Sequence, residues 1–289
     1  MKKLLLTITL FFISTTAHAD LIFEGYYKII KENIHIGYTI LRFEYNPAKQ
    51  EMIATSFIKT APKFTDLTES YVARANTGYQ PISLQFTSVD NTKRKTAITA
   101  KMVGENFVGE LVTNGPPQKL NVKIKKGVFF SSFLPFLMLK AGLKTGLGFT
   151  YYSITEESAE VKEGTANIGK TMEDFKGQKV FRVSNKFMGV EYSSFIAPNG
   201  EILYVDSPTQ QTSTELTSKE IATQGMPVPQ SIISALFGGT PAGTKNSLGV
   251  STLNPTKSPS PPATTGGKAT FPAGQGIIVK PTKPPPQTE

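Results

Sequence analysis

Two histidines, His18 and His35, and a few clustered carboxylates are the residues of this 289-residue chain whose types suit chemistry. His35 follows the Glu32-Asn33 turn by two residues. To act as a general base it needs an orienting carboxylate and a nucleophile, and Glu32 and Glu44 are the nearest acids in sequence. Without such partners it reads as an exposed hairpin residue. His18 falls in the N-terminal segment 1–19, so beyond it His35 alone leaves only carboxylates to complete a zinc shell, and the lack of any cysteine excludes thiol chemistry and disulfides. Glu156-Glu157 and Glu160 form one acidic cluster, and Glu173-Asp174 a second, expected in a loop before Gly177. Glycoside hydrolysis needs two carboxylates facing each other across a cleft. Neighbours in one loop do not make that geometry by themselves, so these acids are expected to solvate turns. Gly-x-Ser-x-Gly is absent, and Lys144-Thr145 lacks the spacing of a phosphate loop. The expectation is a protein that is not an enzyme and uses neither cofactor nor metal.

The elements that must carry any site begin after residue 19. Met1-Lys2-Lys3, the apolar run Leu4 to Ile13 and Ala17-His18-Ala19 follow the order of a secretory leader. Residues 1–19 are therefore expected to be a cleaved signal peptide. The protein is expected to be periplasmic or secreted, and not a lipoprotein, because no cysteine follows the leader. Residues 20–239 are expected to form one β-rich domain. Ile82, Leu84 and Phe86 alternate with polar residues, as do Leu120, Val122 and Ile124, the period-two pattern of strands with one wet face. Glu32-Asn33, Asp90-Asn91, Gly104-Glu105-Asn106, Met188-Gly189 and Pro198-Asn199-Gly200 supply turns. Strands this close in sequence should pair antiparallel as a meander. Residues 128–143 break the alternation. Their dense Phe and Leu recur at three-to-four spacing, which predicts one short buried helix with Pro135 in its first turns or kinking it. Residues 226–237 are expected to add a terminal helix or strand.

The formal charge of +9 misleads. Setting aside Lys2, Lys3 and the five lysines and one glutamate of residues 240–289 leaves a body of only about +3. That argues against a nucleic-acid partner. Ten of the twenty prolines fall in residues 240–289, among Thr, Ser, Gly and Lys. Such a segment buries too little apolar surface to offset its ordering entropy, so it is expected to be a disordered tail.

Two groups of residues are candidates for binding. Lys93, Arg94 and Lys95 on one hairpin arm, with Lys119, Lys123 and Lys125 on the next-but-one strand, would form a basic surface if those strands are neighbours. Such a surface suits anionic headgroups or cell-wall carboxylates, and lysines that merely blunt an edge strand are the alternative. Phe129, Phe130, Phe133, Phe136, Leu137 and Met138 of the Phe-rich helix would either plug a curved sheet or wall an apolar cavity for a lipid or acyl chain.

Tyr26-Tyr27-x-Ile29 with Ile36-Gly37-Tyr38 resembles the opening hairpin of bacterial periplasmic β-rich domains of unknown function, like those preceding secreted transglutaminase-like modules. Gly142-Leu143-Lys144-Thr145-Gly146 before Phe149-Thr150-Tyr151-Tyr152, and Pro198-Asn199-Gly200-Glu201-Ile202-Leu203, are similar too. The resemblance spans residues 23–217. It implies the architecture of lipoprotein-carrier half-barrels, and without cysteine no Cys-His-Asp activity carries over. The expected fold is mainly β: a strongly curved antiparallel sheet, half-barrel or open barrel, around one short Phe-rich helix, with a disordered C-terminal tail. The expected function is binding of an envelope component, a lipid or other apolar ligand. The alternative is a scaffold docking an envelope protein or the cell wall, with the Pro-rich tail as spacer.

Overall fold

The computed structural model describes residues 19–243 and, as backbone, the strands Lys245–Asn246 and Ile277–Val279. All of the expected leader but its last residue, Ala19, therefore lies outside the described residues, as does most of the expected tail. The strands are β1 (Asp20–Lys31), β2 (Ile34–Asn46), β3 (Glu51–Thr60), β4 (Thr68–Asn76), β5 (Pro81–Val89), β6 (Lys95–Val103), β7 (Asn106–Thr113) and β8 (Gln118–Lys123). The pair β9 (Phe129–Phe130) leads through a 3-10 turn, Ser131–Phe133, into helix α1 (Leu134–Ala141). Then come β10 (Gly148–Ile154), β11 (Val161–Phe175), β12 (Gln178–Phe187), β13 (Val190–Ile196), β14 (Ile202–Ser207) and β15 (Thr212–Thr217). Helices α2 (Lys219–Thr223) and α3 (Gln230–Phe237) and the short strands β16 (Lys245–Asn246) and β17 (Ile277–Val279) complete the order.

Two antiparallel meanders, β1 to β8 and β10 to β15, form one curved open sheet. They join where β15 returns to β1, pairing Tyr26 with Thr217 through Lys31 with Thr212. β16 continues along the same edge of β1, and β17 pairs with β10. Glu32-Asn33 and Met188-Gly189 both hold positive φ at their two central positions, as tight hairpin turns matching the strand twist require.

Helix α1 fills the concave side, and Pro135 stands in its first turn, where a missing N–H costs nothing. Phe129 and Phe130 do not belong to the helix. They form a strand parallel to Ser153–Ile154, because the chain must run extended along β10 before it turns inward. A second difference concerns Glu173 and Asp174. β11 runs past a bulge between Ile168 and Met172 to Phe175, so both acids sit on a strand and the turn falls at Lys176-Gly177.

Burial separates two kinds of strand. In β6 only every second residue is buried, Ile98 and Ala100, whereas β3 is buried almost continuously from Met52 to Phe57. The reason is a second layer. Residues 218–243 cross back over the outer face of β1 to β3, and Ala222, Ile233 and Phe237 cover Tyr26, Tyr38, Ile40 and Phe57. Strands covered on both faces read as unbroken apolar runs. The expected terminal element at 226–237 is thus realised as helix α3, and its apolar face explains its position.

Candidate functional site

The structure disperses the carboxylates. Glu156 is buried, whereas Glu157 and Glu160 are exposed, and Glu160 pairs with Lys162 at 2.8 Å. Among the described residues no group of three His, Cys, Asp or Glu side chains could hold a metal ion. His35 donates from Nε2 to the Gly37 carbonyl at 3.0 Å. Burial holds its pKa below the usual imidazole value, and the charge beside it is Lys28 rather than an orienting acid.

Glu156 anchors the plug. Its carboxylate accepts from the Ser131 hydroxyl and, at 3.0 Å, from the Ser132 backbone N–H, so it sits at the positive start of the 3-10 turn leading into α1. Burial, then the Glu157 charge, pushes its pKa up to about 7. Glu69 is pushed up to about 7 as well, first by burial and then by the same Glu157. Between about pH 4.5 and about 7 the native protein therefore holds protons that the unfolded chain has released. Stability is expected to fall as pH rises through that window, by at most about 3 kcal/mol per group. Urea melts of Glu156→Gln should show a flatter slope than the parent; an unchanged slope would remove Glu156 from the titration.

The six aromatic and aliphatic candidates of the Phe-rich segment are all buried: Phe129, Phe130, Phe133, Phe136, Leu137 and Met138 are at most 7% exposed. Their rings meet both arms of the sheet. Phe136 packs edge-on against Phe43 at 4.6 Å, Phe130 meets Phe107 at 5.8 Å, and Phe129 meets Tyr151 at 5.7 Å.

The basic candidates stay exposed. β6 and β8 flank β7, so the strands of Lys95, Lys119 and Lys123 are next-but-one neighbours, with Lys93 and Arg94 in the preceding turn and Lys125 just beyond β8. Acids interrupt the stripe. Asp90 holds Arg94 at 2.8 Å, Glu105 holds Lys123 at 3.3 Å, and Glu110 of β7 stands in register with Lys119. β8 ends the sheet among the described residues, and lysines there discourage a further strand from adding.

A different place has the form of a binding site. At the end of the hollow bounded by the β12–β13 and β14–β15 turns lies an open groove of about 370 Å³. Phe187, Met188, Val190, Tyr192, Val205 and Thr214 are among its lining residues, and no charged side chain lines it. None of the six Phe-segment candidates is in that lining. Inward of it, Tyr151 meets Phe187 at 5.9 Å between ring centres. Gly164 stands opposite both, and a Cβ there would run into the Tyr151 ring, so glycine lets the ring lie flat across β11. Asn185 stands opposite Tyr192 on the same face as Val183 and Phe187. Burial raises the Tyr151 hydroxyl far above its ordinary pKa, with Tyr192 adding to the effect.

Sequence reasoning passed over these groove residues, although one signal stood beside them, opposite Tyr192. In Val183-Ser184-Asn185-Lys186-Phe187 the period-two pattern puts an asparagine in the core-facing phase. A polar side chain there needs a partner or a purpose.

No family model matches the chain, and no curated protein matches its sequence. One solved structure, described as a beta-barrel-like protein of domain of unknown function DUF1849 from Brucella abortus, is similar over 68% of this chain and 97% of that one. The identity is 14% and the TM-score 0.45, a likeness that does not bear on what either protein binds.

Proposed function

We propose that this protein is a non-enzymatic, exported binding domain that takes an apolar or lipid-like ligand at the open end of its curved sheet. The observation that carries the reading is the uncharged groove between β12–β13 and β14–β15, of a size within the range of small-molecule sites. Most of its lining lies on strands rather than loops, so little ordering cost opposes binding. The resemblance to half-barrel carriers supports a ligand in the hollow, and the leader pattern supports export. In this reading α1 is the plug that closes the rest of the hollow, and the ligand contacts Tyr192, Val205 and Phe187 instead.

The test is titration of the purified protein with the neutral fluorophore N-phenyl-1-naphthylamine. Saturable binding at one site per chain is expected. Val205→Asp, at a half-exposed position where a charge remains hydrated in the free protein, should weaken it by at least about tenfold with the melting curve preserved. Failure of the parent to bind the probe, or equal binding by Val205→Asp, would refute the site.

A further inference from the structure

The open sheet ends in β8 on one side and β10 on the other, and the two edges are protected in different ways. A bare edge strand offers its free N–H and C=O groups to any other strand. β8, Gln-Lys-Leu-Asn-Val-Lys, is blunted by Lys119 and Lys123, and among the described residues it pairs with β7 alone. β10, Gly-Phe-Thr-Tyr-Tyr-Ser-Ile, carries neither charge nor proline and is rich in residues that favour strands. Left bare, it would be a template for a further chain. Instead it is covered. β9 runs parallel to Ser153–Ile154, and β17, from the far end of the sequence, pairs antiparallel with Phe149, Thr150 and Tyr151.

The composition of the covering strand suits that task. Ile277-Ile278-Val279 is the only run of three β-branched residues within 247–289. Gly276 precedes it, and Pro281 follows closely, where a ladder cannot continue. The cover is therefore short. Residues 247–276 separate β17 from β16, which pairs with β1. Fully extended, that length reaches about 100 Å, so it does not limit which edge the strand can find. Tethering then favours the chain's own segment over a second copy's at micromolar protein concentration.

We propose that Ile277–Val279 is a strap that, supplied in cis, masks the β10 edge and keeps the chain monomeric. Its removal leaves an uncharged edge that pairs with a second copy of this chain. β8 needs no such cover, because its lysines already oppose pairing.

Thr150 stands opposite Ile278, and directly opposed residues of an antiparallel pair lie within disulfide range. The chain has no cysteine of its own, so full-length Thr150→Cys with Ile278→Cys reports this pairing alone. Mild oxidation should link the two within one chain. It should do so at least about tenfold faster than for Thr150→Cys with Thr264→Cys, whose second cysteine stands outside β17. Separately, Ile277→Pro with Ile278→Pro in the full chain removes a donor to β10 whichever way the strand faces, because successive N–H groups point to opposite sides. Light scattering should then find dimers or larger species where the parent is monomeric, with the far-ultraviolet spectrum unchanged. Adding Thr150→Lys, at a half-buried position, should return that variant to monomer by giving β10 the kind of charge β8 carries. A disulfide linking two chains would show the strap exchanged rather than held in cis, and equal rates for the two cysteine pairs would show no pairing; either overturns the inference. So does a parent that is itself associated, a proline variant that stays monomeric, or self-association that Thr150→Lys leaves unchanged.

Discussion

Arg42→Ala is expected to lower unfolding free energy by about 3–5 kcal/mol, the cost of leaving a buried partner charge uncompensated. The partner is Glu24, 3% exposed. The Arg42 guanidinium approaches Glu24 Oε2 at 2.5 Å and donates from Nε to the same oxygen at 2.7 Å. It also donates to the Phe237 carbonyl at 2.6 Å and lies 4.9 Å from the centre of the Phe237 ring. The Gly243 N–H closes the network on Glu24 Oε1 at 2.7 Å. One ion pair therefore binds β1 and β2 to the returning segment at both α3 and 243. Urea melts measure the loss, and limited proteolysis of Arg42→Ala should cut first within 218–243. Replacing both partners together, Glu24→Met with Arg42→Leu, should recover much of the stability, because no orphan charge remains. A loss below about 1 kcal/mol for Arg42→Ala would mean that Glu24 finds other compensation.

Phe133→Ala is expected to cost a similar amount, about 3–5 kcal/mol, from lost transfer energy and the cavity left behind. Phe133 is fully buried, with ring centres 6.1 Å from Phe43, 5.8 Å from Tyr79 and 6.4 Å from Phe136. It joins α1 to β2 and to the turn after β4, so truncation loosens the plug from the sheet. The substitution also separates plug from wall. Phe133→Leu keeps most of the volume and should stay folded with a smaller loss. If α1 only plugs the hollow, this variant binds the neutral probe like its parent. Weakened binding by a folded Phe133→Leu protein would return the ligand to the Phe-rich segment.

Much of the architecture was legible locally. The alternation of Ile82, Leu84 and Phe86 reappears as β5, and Pro135 stands in the first turn of α1. The meander followed from turn chemistry, since a two-residue turn such as Glu32-Asn33 commits its flanking strands to pair. The acids of 173–174 were misplaced because a bulge near Ile168 interrupts the alternation without ending the strand. Phe129 and Phe130 were read as helical because a dense apolar run has no period that separates a buried strand from a buried helix. The groove itself left no trace in the sequence; only Asn185, opposite the groove residue Tyr192, stands out as a polar residue in the apolar phase.

By itself, the sequence determined what short-range physics can encode: strands of period two, tight turns, one Phe-rich helix, no thiol chemistry and a nearly neutral body. The tertiary structure decided the rest. β15, Thr-Ser-Thr-Glu-Leu-Thr, has no strong apolar period, yet it joins the two meanders by pairing with β1. Glu156 became a helix anchor only when Ser131 and Ser132 were folded against it. The uncharged groove and the segment locked by Glu24 and Arg42 arise from residues far apart in the chain. Contacts of that range depend on shape and burial, which no local pattern of residue types records.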